Sequence, residues 1–200
     1  MREILLKYVP EPAVDRVIDL LHKYPCKLRI VKNRKTKHGD FKQLKTGQYQ
    51  ITINNDLNKY RFLLTLVHEV AHLVTYKENS IPVKPHGKEW KQNFKILMIP
   101  FLDPEIYPEE LLRNIANYLI NPKASTDSDV NLSLILKSYD EKNGKYYIFE
   151  LEDEVLFTYE NRTFKLGKKR RTRYECTEVK TKKKYLFHQN AAVEIIKKYD

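Results

Sequence analysis

Leu64-Thr65-Leu66-Val67-His68-Glu69-Val70-Ala71-His72-Leu73-Val74 is apolar almost throughout, yet it carries two imidazoles and a carboxylate. Such a run predicts a buried helix. On a helix, positions four apart lie one above the other, so His68 and His72 turn ring nitrogens toward one point in space. Glu69 occupies the adjacent position, close enough to approach a water at that point without being one of the paired ligands. Burying these three polar groups is costly unless they serve a purpose, although histidines satisfied within a core are the bland alternative. The spacing is the H-E-x-x-H of zinc hydrolases. A catalytic zinc takes three protein ligands and keeps one position open for water. The third is sought in Pro85-His86-Gly87-Lys88-Glu89-Trp90, which offers His86 and, one helical turn on, Glu89.

Outward from this stretch, Asn54-Asn55-Asp56 supplies N-cap chemistry for a helix from Leu57 through Tyr76. Before it, Cys26–Val31 and Gln48–Ile53 alternate with period two and predict strands, forming a hairpin or lying as neighbours. Lys32–Asp40 between them is a basic turn containing His38. Glu11–Tyr24, bounded by Pro12 and Pro25, predicts an amphipathic helix with His22 on its surface. After the motif, a proline-bounded loop at Ile81–Pro85 leads into a helix from His86 to Met98, which places His86 where it can fold back on His68 and His72. Trp90 anchors that helix in the core. Asp103-Pro104-Glu105 caps a further helix with Leu111, Leu112, Ile115 and Tyr118 on its apolar side. Tyr76, one turn past His72, either packs or stabilises an oxyanion.

The composition shifts over Asn121–Asn131, which is rich in Pro, Ser, Thr and Asp. Beyond it, Asn131–Leu136, Lys145–Phe149 and Val155–Tyr159 are β-type runs, with Asn143-Gly144 as a hairpin signal. The expected organisation is α+β: a mixed domain over residues 1–122, a linker over 123–131, and a small basic antiparallel β domain over 132–200. In that last part, Lys168, Lys169, Arg170, Arg171, Arg173, Lys182, Lys183 and Lys184 concentrate positive charge, and only Glu175 and Glu178 oppose it between Arg162 and Lys184. Tyr174, Tyr185 and Phe187 are interleaved. Basic strands with exposed aromatics suit nucleic acid, through phosphate attraction and base stacking. The competing reading is a solvated basic face whose aromatics belong to the core.

The 200 residues carry a formal net charge of +11, which points to an anionic partner. They suffice for a real core without a disulfide framework. The two cysteines, Cys26 and Cys176, stand far apart at no ligand-like spacing, which suits a reduced compartment. No run approaches a membrane span, and Met1–Lys7 lacks the features of a secretory signal. A cytoplasmic protein, with nucleoid association as an option, is expected.

The pair Val67-His68-Glu69-Val70-Ala71-His72-Leu73 and, after a Pro-containing loop, Pro85-His86-Gly87-Lys88-Glu89-Trp90 resembles the SprT-like metalloprotease family, which includes the Spartan-type proteases. The likeness extends over roughly residues 10–120. It implies a zincin-like domain with one Zn2+ held by His68, His72 and His86, Glu69 as the catalytic carboxylate, and proteolysis of DNA-associated or DNA-crosslinked proteins. Members often carry a C-terminal four-cysteine zinc ribbon. Here Cys176 is the only cysteine in that half, so with His188 it is at most the relic of one, and the β-rich tail is expected to be metal-free. The alternative function is a nucleic-acid-binding protein with a structural or idle zinc site.

Overall fold

Prolines at positions 10 and 12 split the N-terminal segment into two helices, α1 (Arg2–Tyr8) and α2 (Val14–Lys23), joined through a 3-10 turn at Glu11–Ala13. Three strands follow: β1 (Lys27–Val31), β2 (Gly39–Gln43) and β3 (Tyr49–Asn54). The computed structural model describes all residues except 35, 141–143, 172 and 197–200.

The sheet order is β1-β3-β2. β1 runs parallel to β3, with Leu28 opposite Ile51, and β2 runs antiparallel to it, with Phe41 opposite Ile51. The first and last strands are therefore neighbours, and the hairpin option is corrected. The hairpin is β2–β3, closed where Gly47 takes φ +81°. β2 lies partly in the segment expected to be a basic turn. With Phe41 as its one large apolar residue, it lacks the alternation that reveals a strand. β3 is central, and Ile51 and Ile53 are fully buried.

α3 (Lys59–Glu78) is the long apolar helix. Its cap is Asn58, whose side-chain oxygen accepts the Arg61 N–H at 2.9 Å, rather than the earlier Asn54-Asn55-Asp56. Asn54 is occupied elsewhere, its amide donating to the Lys37 carbonyl at 2.9 Å. α4 (Lys88–Met98) and α5 (Glu109–Ile120) follow. Asp103 accepts the Glu105 N–H in a separate turn, and α5 starts only after Pro108.

α6 (Val130–Ser138) occupies residues expected to be a strand. Leu132 and Leu136 satisfy both a period of two and a helical i, i+4 spacing. The Asp129 carboxylate decides between them by accepting the Leu132 N–H as an N-cap. Leu132 and Leu136 then join the first core. The chain divides into two compact units, Met1–Asp140 and Glu141–Asp200, so α6 belongs with the first rather than with a β domain starting at 132.

The second unit is a six-stranded antiparallel sheet. Its strands are β4 (Tyr146–Tyr147), β5 (Leu156–Tyr159), β6 (Arg162–Arg170), β7 (Arg173–Glu178), β8 (Lys184–His188) and β9 (Ala192–Ile195), in the order β4-β9-β5-β6-β7-β8. Its core gathers Ile148, Phe157, Phe164, Leu166, Cys176, Phe187 and Val193. A bulge follows Leu166 in β6, where a Cβ on Gly167 would stand 2.4 Å from the Glu175 carbonyl oxygen. The Asn143-Gly144 signal lies partly outside the described residues. The whole is α+β.

Candidate metal centre

His68 and His72 lie four apart on α3 and share a face, as the spacing requires. His86 reaches them from a tight turn, where the Gly87 N–H donates to the Lys84 carbonyl at 2.8 Å. Pro85 takes the second position of this turn and His86, at φ +56°, the third, which is the pattern of a type II turn. Glycine is the usual residue at that third position, so an imidazole there is held in a left-handed conformation that a side chain disfavours. A Cβ on Gly87 would meet the same Lys84 oxygen at 2.8 Å. The close approach that turns the chain back is thus possible only with glycine at 87.

The three Nε2 atoms form a triangle: His68 to His72 3.2 Å, His68 to His86 3.2 Å, and His72 to His86 3.0 Å. A neutral ring presents either a donor or an acceptor at Nε2, so hydrogen bonding cannot satisfy all three sides at once. Burial lowers the pKa of His68, with the His72 and His86 charges adding to it. Burial and His86 bring His72 down to about 4, and burial lowers His86 as well. Three neutral rings can therefore each turn an Nε2 lone pair to one point. Zn–N bonds of about 2.05 Å at tetrahedral angles set N···N separations of about 3.3 Å. The triangle is within a few tenths of an ångström of that, and the donor set fits a divalent ion. Among the described residues this is the group of His, Cys, Asp and Glu able to hold one.

Trp90 underlies the cluster. Its ring stacks on His72 at 5.4 Å, lies 4.6 Å from His68 and 4.7 Å from His86, and stacks in turn on Phe94. Its indole N–H donates to the His68 carbonyl at 3.4 Å. The sequence marked it as a core anchor, and it also sets the orientation of all three imidazoles. Glu89, the other candidate ligand, is exposed and stands outside the triangle. Tyr76 donates its hydroxyl to Gln43 at 2.6 Å and packs on Phe41 and Tyr49, bracing β2.

Glu69 is 6% exposed and lies under β2. A Cβ on Gly39 would meet its Oε1 at 2.8 Å and Thr65 Cγ2 at 2.8 Å, so the strand rests on this carboxylate and only glycine permits it. Burial pushes the Glu69 carboxyl up to about 8, with Asp40 adding to the rise, against the pull of Arg34, Lys37 and the Phe41 backbone N–H. Next to it, His38 is no ligand: its Nε2 pairs with Asp127 at 2.8 Å, and Asp127 also accepts from the buried Arg61 at 2.7 Å.

In the second unit, Lys168, Lys169, Arg170, Arg171 and Arg173 gather around the β6–β7 connection. Lys182, Lys183 and Lys184 gather at the β7–β8 turn, at the other end of β7. The six residues of β7 run between the two groups, whose nearest members, Arg170 and Lys184, meet on one carboxylate. Glu175 lies between them and neutralises part of each, pairing with Arg170 at 2.6 Å and Lys184 at 2.8 Å. Of the interleaved aromatics, Phe187 is core and Tyr174 and Tyr185 pack against it. Cys176 is buried and His188 exposed, opposite Tyr185 and Arg173 respectively, so the two do not form a ligand pair.

No helix among the described residues is long and apolar enough to cross a membrane. No curated protein and no solved structure matches the chain. Residues 5–103, which contain the sheet, Glu69 and all three imidazoles, match the model of the SprT-like family. Over that span the chain belongs to the SprT-like family, a family made up chiefly of metalloproteases.

Proposed function

We propose that the protein is a zinc-dependent endopeptidase with a zincin-like catalytic domain, in which His68, His72 and His86 hold the ion. The observation that carries this reading is the convergence of the three Nε2 atoms, one brought by a strained turn, beside a buried glutamate. When bound, zinc on three neutral imidazoles keeps its full double charge, which acidifies water and polarises a carbonyl. Glu69 accepts the proton of the attacking water and delivers it to the leaving nitrogen.

A peptide is favoured over other hydrolysable substrates by β2. It is an edge strand, paired to β3 on one side only, and it lies against Glu69. An extended chain adding to such an edge receives backbone hydrogen bonds alongside the catalytic carboxylate. DNA-associated or DNA-crosslinked proteins are the proposed substrates, supported by the +11 charge and by the two basic groups of the second unit. DNA, single- or double-stranded, is the corresponding partner.

The test is cleavage of an unfolded protein and of a DNA-bound protein by the zinc-loaded chain, with metal content measured alongside. Glu69→Gln is expected to keep zinc and lose turnover by about 100-fold or more. His72→Ala is expected to lose both. Cleavage that survives Glu69→Gln would overturn the mechanism. Zinc binding without cleavage of any substrate would leave a nucleic-acid-binding protein with an idle site.

A further inference from the structure

An open cleft of about 420 Å³ begins at His86 and runs along α4, lined by Lys84, His86, Lys88, Lys91, Gln92 and Lys95. Lys88, Lys91 and Lys95 follow the i, i+3, i+7 spacing that puts side chains on one helix face, and Lys84 comes from the turn that carries His86. Gly87 lines it as well, and the Glu89 carboxylate stands at its edge, 3.4 Å from where a Gly87 Cβ would lie. Lys91 and Lys95 reach across to the end of α5, donating to Asn121 Oδ1 and the Ile120 carbonyl, each at 2.7 Å. Those acceptors carry no formal charge, so both ammonium charges stay uncompensated. Lys84 and Lys88 are exposed, and no ion pair or hydrogen bond engages either ammonium among the described residues. Four like charges crowded beside one wall of the metal centre repel one another and cost stability unless an anionic ligand offsets them.

We propose that this cleft is a substrate subsite for acidic side chains, selecting polypeptide segments with Asp or Glu at alternate positions next to the bond to be cut. The proposal rests on the peptidase reading, because His86 belongs to both the cleft and the imidazole triangle. Whatever fills the cleft therefore lies beside the reacting carbonyl. Its length fits. From Lys88 to Lys95 the helix rises about 10 Å, the span of about three residues of extended chain. Alternate side chains of that chain point to the same wall. Nucleic acid fits less well, since the lining has no Phe, Tyr or Trp on which a base could stack.

The experiment uses the full chain with Glu69→Gln, loaded with zinc, and two labelled twelve-residue peptides. One carries glutamate at alternate positions and the other glutamine. Anisotropy at low salt is expected to show the acidic peptide binding at least tenfold more tightly. The difference is expected to shrink as salt rises and to fall severalfold in the added Lys84→Gln/Lys88→Gln background. Both lysines are exposed, and an unchanged far-ultraviolet spectrum verifies that the fold is kept. Equal binding of the two peptides, or a difference undiminished by loss of both lysines, would overturn the proposal. So would a duplex oligonucleotide that binds more tightly than the acidic peptide and depends on the same lysines, which would assign the cleft to nucleic acid. The underlying peptidase reading is judged separately, by whether wild type cleaves either peptide. Its failure with the acidic preference intact leaves a binding site without an enzyme, while cleavage without acidic preference removes the subsite alone.

Discussion

His86 stands in a backbone conformation that its side chain disfavours. At φ +56° it occupies a position where glycine is unstrained, and a side chain there costs about 1 kcal/mol. Replacing it separates the two roles. In chelator-treated protein, His86→Gly is expected to be about 1 kcal/mol more stable than His86→Ala in urea unfolding, because both lose the imidazole and only glycine relieves the turn. With His86 as a ligand, both are expected to hold less zinc than wild type. Equal stabilities would mean that the turn is not strained. His68 and His72 were legible from their spacing alone, since helical geometry fixes where such residues point. His86 was legible only as a candidate beside Glu89, because a loop's path is set by close approaches such as Gly87 against the Lys84 carbonyl. No periodicity announces these.

At the scale of elements, the packing of β2 on α3 aligns the site. Gly39 lies on the Glu69 carboxylate and on Thr65, one turn earlier, whose hydroxyl donates to the Arg61 carbonyl at 2.8 Å. Gly39→Ala forces a Cβ into both neighbours. The expected outcome is a fall in kcat of about 100-fold, the order produced by misplacing a catalytic group by about 1 Å. Zinc content is expected to be unchanged, since none of the imidazoles is touched. Nearby, Asp127 joins His38 to Arg61, which is 3% exposed. Burial raises the Asp127 carboxyl, but the His38 hydrogen bond and charge, followed by Arg61, outweigh it and hold the carboxyl well below the usual range. A depressed carboxylate contributes stability that is complete above the ordinary aspartate value of about 3.9. That contribution is lost as pH falls from there toward the folded value. Asp127→Asn is expected to cost about 2 kcal/mol at pH 7 by leaving a buried guanidinium without its anion. Its stability is expected to approach that of wild type as the pH falls below about 4, which urea titrations at several pH values would check. None of this network was visible in the sequence, where Asp127 sat in an apparent linker and Arg61 in a helix read for its apolar residues.

For the molecule as a whole, sequence and structure agree where one physical signal dominates and part where two compete. The apolar helix around the motif and the α+β class followed from long periodic segments. α6 escaped because Leu132 and Leu136 fit two periods and Asp129 alone broke the tie. The basic segment was legible as charge but not as shape, since the β7 register sends most of its charges toward opposite ends of one strand while Arg170 and Lys184 meet on Glu175 between them. That division yields the prediction for DNA. If the second unit binds phosphates, the Lys168/Lys169/Arg170/Arg171 group and the Lys182/Lys183 group, toward opposite ends of β7, are expected to be separate binding points. Neutralising either is expected to reduce the slope of log affinity against log salt by about 0.9 for each phosphate that is no longer paired, and neutralising both is expected to sum the two reductions. Distant, independent sites add in this way, whereas sites sharing a ligand phosphate do not. A slope unchanged by both sets of substitutions would place DNA binding outside the second unit. A slope abolished by either set alone would mean that the two ends of β7 act as one surface.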